Sequence, residues 1–135
     1  NPNNADAAEA VAAIMKGVGL SQAQIDAQIE VLLSPWYRFF LAYDPIPALE
    51  SLEIPVLALN GTLDLQVPFE TNLAAIGMAL ESAPTESFRT EALDGLNHLF
   101  QTASTGLVAE YAQLEETFSP VALELVAEWI TDVTR

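Results

Sequence analysis

Two residues of this chain have the types and the setting for acid–base chemistry, Asp64 and His98. Asp64 lies in Asn60-Gly61-Thr62-Leu63-Asp64-Leu65-Gln66-Val67-Pro68, directly after the continuous apolar run at residues 54–59 (IPVLAL). His98, the one histidine of the chain, lies in Asp94-Gly95-Leu96-Asn97-His98-Leu99-Phe100, directly after a second strand candidate at residues 88–93 (FRTEAL). A carboxylate that accepts an imidazole Nδ1–H fixes the tautomer and stabilises the imidazolium. The other nitrogen, Nε2, is then a general base toward a hydroxyl nucleophile. Open α/β sheets carry their functional groups in the turns at the carboxyl ends of their strands. Neighbouring strands lie about 4.8 Å apart, so side chains on two adjacent loops of this kind can meet. The chain between the two motifs leaves room for one strand-connecting helix.

The elements that must position this pair follow from periodicity. Continuous rather than alternating apolarity at residues 54–59 predicts a strand buried on both faces, as in a parallel sheet. Pro68 opens a predicted helix to residue 83 with Leu73, Ile76 and Leu80 on its inner face. Strand, helix and strand in that order imply a parallel pair with a right-handed crossover. A helix is predicted over residues 109–117. Ser119-Pro120 then caps a last helix to residue 133, with Leu123, Val126, Trp129, Ile130 and Val133 as its apolar stripe. Upstream, residues 5–16 read as a helix with Val11, Ile14 and Met15 at helical spacing. Ser21 caps a second helix with Gln24 in the capping-box position and Ile25, Ile29 and Leu32 along one face. Ser34-Pro35 starts a short third helix over residues 36–43. The expected fold class is therefore α/β, with two parallel strands and flanking helices at residues 34–135 behind a helical segment at residues 1–33.

Composition narrows the function classes. The 135 residues suit one domain, and 51% are hydrophobic, enough for a core. Four basic residues against 19 acidic ones give a net charge of −15, which repels phosphate backbones and anionic membranes. Nucleic acid is excluded as a partner on that ground. No apolar run reaches the roughly 18 residues of a membrane-spanning helix; the expectation is a soluble protein, by default cytoplasmic. The absence of cysteine removes disulfides, thiolate nucleophiles and Cys-ligated zinc. With a single histidine, neither a metal site nor a cofactor is expected.

Other residues have narrower readings. Glu110, Glu115 and Glu116 are expected on a solvated acidic helix face. Asn97 is expected to shape the histidine loop, with Phe100 and Gln101 supporting it. Trp36, Tyr37, Phe39, Phe40 and Tyr43 form a dense aromatic cluster whose simplest role is packing of the short third helix.

The runs PVLALNGTLDLQVP and LDGLNHLFQ resemble the acid-loop and histidine-loop motifs of bacterial α/β-hydrolases, chiefly the serine esterase and prolyl-oligopeptidase-like group. SPWYRFFLAYDP resembles the segment that leads from the cap region of those proteins back into the sheet, and the helix after Ser119 resembles their closing helix. The resemblance covers residue 34 to the end. It implies the C-terminal part of an α/β-hydrolase fold preceded by a helical cap or lid at residues 1–33. It further implies Asp64 as triad acid, His98 as triad base, and hydrolysis of carboxylic ester or thioester bonds without cofactor. Trp36, Phe39 and Phe40 would then line the substrate's acyl pocket.

The chain departs from that family at one point. The nucleophile of the family sits in a G-x-S-x-G turn, and none of the six glycines here forms that turn around a serine. The chain is therefore expected to supply acid and base to a serine carried elsewhere and not to acylate alone. The unfinished sheet is expected to find its partner strand by homodimerisation or by association with the missing half of a hydrolase. An alternative reading is a non-catalytic module made from hydrolase parts, which self-associates or binds a small ligand.

Overall fold

The computed structural model describes residues 2–17 and 21–135. It divides into two compact units, Asn1–Asp44 and Pro45–Arg135.

The first unit contains α1 (Pro2–Gly17), α2 (Gln22–Leu32) and α3 (Pro35–Ala42). Gln24 Oε1 accepts from Ser21 N at 3.0 Å and from Ser21 Oγ at 2.8 Å, tying down the start of α2 as the sequence predicts. α1 packs on α2, and Ile25 is fully buried. α3 begins where Ser34 Oγ accepts from Tyr37 N at 3.1 Å, with Pro35 in the first turn, where a missing N–H costs nothing. Its aromatic rings pair along the helix. Trp36 stacks on Phe40 with centroids 5.7 Å apart, and Phe39 meets Tyr43 at 5.6 Å. The expected core packing of this cluster is not what the fold does with it: Trp36, Phe39 and Phe40 are 66%, 65% and 58% exposed.

The second unit contains α4 (Ile46–Leu49), β1 (Val56–Gly61), α5 (Phe69–Glu81), β2 (Phe88–Leu93), α6 (Val108–Tyr111) and α7 (Pro120–Val133). β1 and β2 pair in parallel, from Val56 opposite Phe88 to Gly61 opposite Leu93, and α5 is the crossover. Both predicted strands and the predicted connecting helix are therefore present, and the unit is mixed α/β. Side chains alternate across the sheet, so Thr90 and Leu93 face opposite sides. Thr90 lies under α5, close enough that a Cβ on Gly77 would touch its methyl at 3.8 Å. Leu93 packs with Leu96 and with Ala122 of α7, and Leu59, Phe100 and Leu125 close round them. Helices thus cover both faces of a two-stranded sheet. Fully burying a leucine such as Leu93 or Leu96 contributes about 1.5–3 kcal/mol, so this small cluster is a main anchor of the strand ends that carry the loops.

Two sequence expectations are corrected. α7 does not turn Leu123 and Ile130 inward; both are exposed, and Ala122, Leu125, Val126, Trp129 and Val133 are the covered positions. The small Ala122 lets the first turn of α7 approach Leu93 and Leu96 closely, which rotates the helix away from its bulkiest stripe. The helix predicted over residues 109–117 is only the four-residue α6. Beyond it the chain must open out, because the Glu116 carbonyl accepts from Gln101 Nε2 at 2.8 Å and its carboxylate accepts from Thr102 N. Among the described residues no helix is long and apolar enough to cross a membrane.

Candidate active site

Asp64 and His98 occupy the loops that leave the carboxyl ends of β1 and β2. Their meeting depends first on Gly61. A Cβ there would stand 2.1 Å from the Leu96 carbonyl oxygen, so only glycine lets the turn at residues 94–97 cross the end of β1. The two loops are then laced together. Thr62 N donates to Leu93 O at 3.0 Å, Leu63 N donates to Leu96 O at 2.9 Å, and Gly95 N donates to Thr62 Oγ1 at 2.9 Å.

The acid is fully engaged. Asp64 Oδ1 accepts from Gln66 N and Val67 N, each at 2.9 Å. Its Oδ2 lies 2.9 Å from His98 Nδ1 and accepts from Asn60 Nδ2 at 3.2 Å. Burial pushes this carboxyl up. The bonds from His98, Val67 and Gln66, with the positive form of His98, outweigh burial and hold it below its ordinary value. Asp64 is therefore an ionised carboxylate, which only accepts, and the proton between the pair resides on His98 Nδ1.

The base is placed from the other side. Asn97 is fully buried, and its Oδ1 accepts from Leu99 N at 2.9 Å and Gln101 N at 3.0 Å. Its Nδ2 donates to Gln101 Oε1 at 3.0 Å, and Gln101 passes the connection on to Glu116. Phe100 takes up a left-handed φ of 56°, a conformation that costs roughly 1–3 kcal/mol for a residue with a side chain. Its carbonyl accepts from Ser119 N at 2.8 Å and its ring stacks on Phe118, which hold the turn against the start of α7. Asn97, Phe100 and Gln101 thus have the loop-shaping places read for them in the sequence.

The pair is asymmetric toward water. The Asp64 side chain is 6% exposed and that of His98 38%. Among the described residues Nε2 of His98 has no hydrogen-bond partner, and no buried side-chain nitrogen or oxygen goes unpaired. Nε2 therefore reaches solvent, and its lone pair is available whenever the ring is neutral. The arrangement can take a proton from, or deliver one to, a group approaching from outside.

Trp36, Phe39 and Phe40 lie on α3 of the first unit, while Asp64 and His98 lie in the second. The sequence reading missed Asn60, whose amide is, among the described residues, the one side chain besides His98 that donates to Asp64. An amide at the strand end four residues before the acid is the signal that was there to find. Glu115 and Glu116 lie beyond α6, not on a helix face, and the sequence reading also missed the bonds made by Glu110, which does lie on α6. Its carboxylate accepts from Ser104 N, Thr105 N, Gly106 N and Thr105 Oγ1 at 2.6–3.0 Å. The Thr105 hydroxyl foremost, with those N–H groups, holds its carboxyl down at about 2. No group of three or more His, Cys, Asp or Glu among the described residues is placed to hold a metal ion.

Set against protein-family models, curated proteins and solved structures, the chain matches none of them.

Proposed function

We propose that this chain is the acid–base portion of an α/β-hydrolase-type serine hydrolase acting on carboxylic esters or thioesters. The observation that supports this most is the 2.9 Å contact between His98 Nδ1 and Asp64 Oδ2 on the loops after two adjacent parallel strands. The acid precedes the histidine in the chain, as in the Ser…Asp…His order of that fold. In the working enzyme a serine from outside these residues attacks the acyl carbonyl. His98 Nε2 takes the serine proton, returns it to the departing alcohol or thiol, and then activates water to clear the acyl-enzyme. Asp64 holds the Nδ1–H tautomer and balances the charge that develops on the ring. No cofactor enters this scheme.

The partner implied is a polypeptide segment that carries the serine and pairs with the open sheet. The test is to purify the protein in its native assembly, record the native and subunit masses, and treat it with a fluorophosphonate probe. Labelling of a serine outside these residues, abolished by His98→Ala, is the expected result. Labelling that persists in His98→Ala removes His98 from the mechanism. A homodimer that takes no label leaves the self-associating or ligand-binding module as the better reading, for which the exposed aromatic face of α3 is the place to look.

A further inference from the structure

We propose that His98 is itself a nucleophile toward activated aryl esters, so that this chain hydrolyses them with no serine at all. The inference goes beyond the serine reading and stands on the Asp64–His98 geometry alone. The chain has no cysteine and one histidine, so His98 is its one imidazole and no thiol competes with it as a side-chain nucleophile. That imidazole is set up for attack. Nδ1 keeps its proton against the Asp64 carboxylate at 2.9 Å, which leaves the lone pair on Nε2, and Nε2 faces solvent. Asp64 is almost fully covered, so its charge acts on the ring with little screening from water.

In the first step the Nε2 lone pair adds to the ester carbonyl carbon. The tetrahedral intermediate collapses, the acyl–oxygen bond breaks, and the aryl oxide leaves with its electron pair. The product is an N-acyl-imidazolium whose positive charge Asp64 stabilises. Water then adds to the acyl carbon, the carbon–nitrogen bond breaks with its pair returning to Nε2, and the proton lost by water goes to solvent. The sum is ester plus water giving phenol plus carboxylic acid. Nothing in this route protonates the leaving oxygen, so the substrate class is aryl esters with electron-withdrawing rings. Alkyl esters and amides, whose leaving groups need a proton, are not turned over.

The test uses the 135-residue chain and p-nitrophenyl acetate. Hydrolysis is expected to be first order in protein, to survive fluorophosphonate treatment, and to show a solvent deuterium isotope effect near one. His98→Ala is expected to lose the histidine-dependent rate, and Asp64→Asn to lower it by about tenfold or more. His98→Gln, which keeps a polar partner for Asp64, serves as the second variant should alanine perturb the loop. Equal rates in wild type and both His98 variants overturn the proposal. Loss of activity with fluorophosphonate traces it to a serine and overturns it too. A clear normal isotope effect on the acylation step, read as the first release of p-nitrophenolate, makes His98 a base on water and removes the acyl-imidazole, and an unchanged rate in Asp64→Asn removes the assistance from Asp64.

Discussion

The Leu96 carbonyl oxygen sits where a side chain on residue 61 would begin: a Cβ on Gly61 would lie 2.1 Å from it. This contact at the end of β1 decides whether the acid and histidine loops can lie side by side. Gly61→Ala must push the turn at residues 94–97 away and break the bond from Leu63 N to Leu96 O. The expected cost is at least about 2 kcal/mol, the range of overpacking and backbone-strain changes. Thermal melting measures that cost. Nuclear magnetic resonance of the His98 ring should show the Nδ1–H bond to Asp64 lost or weakened, and a variant that keeps both stability and that bond contradicts the packing argument.

Asn60 donates its amide only toward acceptors: Asp64 Oδ2, the Val67 carbonyl and the Gly61 carbonyl. Nδ2 must therefore be the atom that faces them. Asn60→Ala leaves the bonds from His98, Val67 and Gln66 that hold the Asp64 carboxyl below its ordinary value but removes the 3.2 Å donor to Oδ2. Loss of a donor to the ionised form should let the carboxyl rise toward that value. A carboxyl lowered in the folded state stabilises the fold above its unfolded value, and that stability is lost as pH falls through the folded value. The variant should therefore lose less stability on acidification than wild type, from a lower starting point at neutral pH. Carbon-13 titration of the Asp64 carboxyl, with melting curves across the acid range, checks both statements.

The pair Asp64–His98 was legible in the sequence because each residue follows a short strand, apolar in β1 and mixed in β2, and a glycine-bearing turn, and adjacent parallel strands place such turns together. The supporting shell was less legible. Periodicity identifies α7 as apolar but offers several faces, and the close approach of Ala122 to Leu93 and Leu96 selects among them. The shortening of α6 depends on bonds from Gln101 and Thr102 to Glu116, which join residues in two different loops and leave no local pattern. Glu110 reads as one acid among 19 until Ser104, Thr105 and Gly106 fold back onto it.

Glu110 makes the acid side of the stability curve testable on its own. Its folded value of about 2 lies below the ordinary 4.5, so its contribution is complete above 4.5 and disappears as pH falls toward 2. Glu110→Gln should be less stable than wild type at neutral pH, and the difference should shrink across that window. The loop itself has a further constraint: Gly106 has a φ of +72°, and a Cβ there would stand 2.0 Å from the Leu63 carbonyl oxygen. Loosening residues 104–106 should therefore reach the acid loop. Amide exchange at Thr105, Gly106 and Leu63 should quicken together in the variant; faster exchange at Thr105 and Gly106 alone would show that the two loops are independent.

The open edge of β1 leads to the last prediction. Val56 N donates to Ser87 O and Thr62 N to Leu93 O, so Leu57 and Leu59, one residue out of phase, turn their N–H and C=O groups away from β2. β2 carries Arg89 and Glu91, paired at 2.9 Å, and charge of this kind discourages strand addition. β1, with the sequence VLALNG, carries none. The outer edge of β1, uncharged and without a neighbouring strand, is the edge at which a partner strand should add. If the serine-bearing segment proposed above completes the sheet there, amide exchange at Leu57 and Leu59 should be fast in the isolated chain and slow by orders of magnitude in the assembly. The amides of Val56 and Thr62 should be protected in both. Slow exchange at Leu57 and Leu59 in a species of 14.5 kDa would mean that this edge needs no partner.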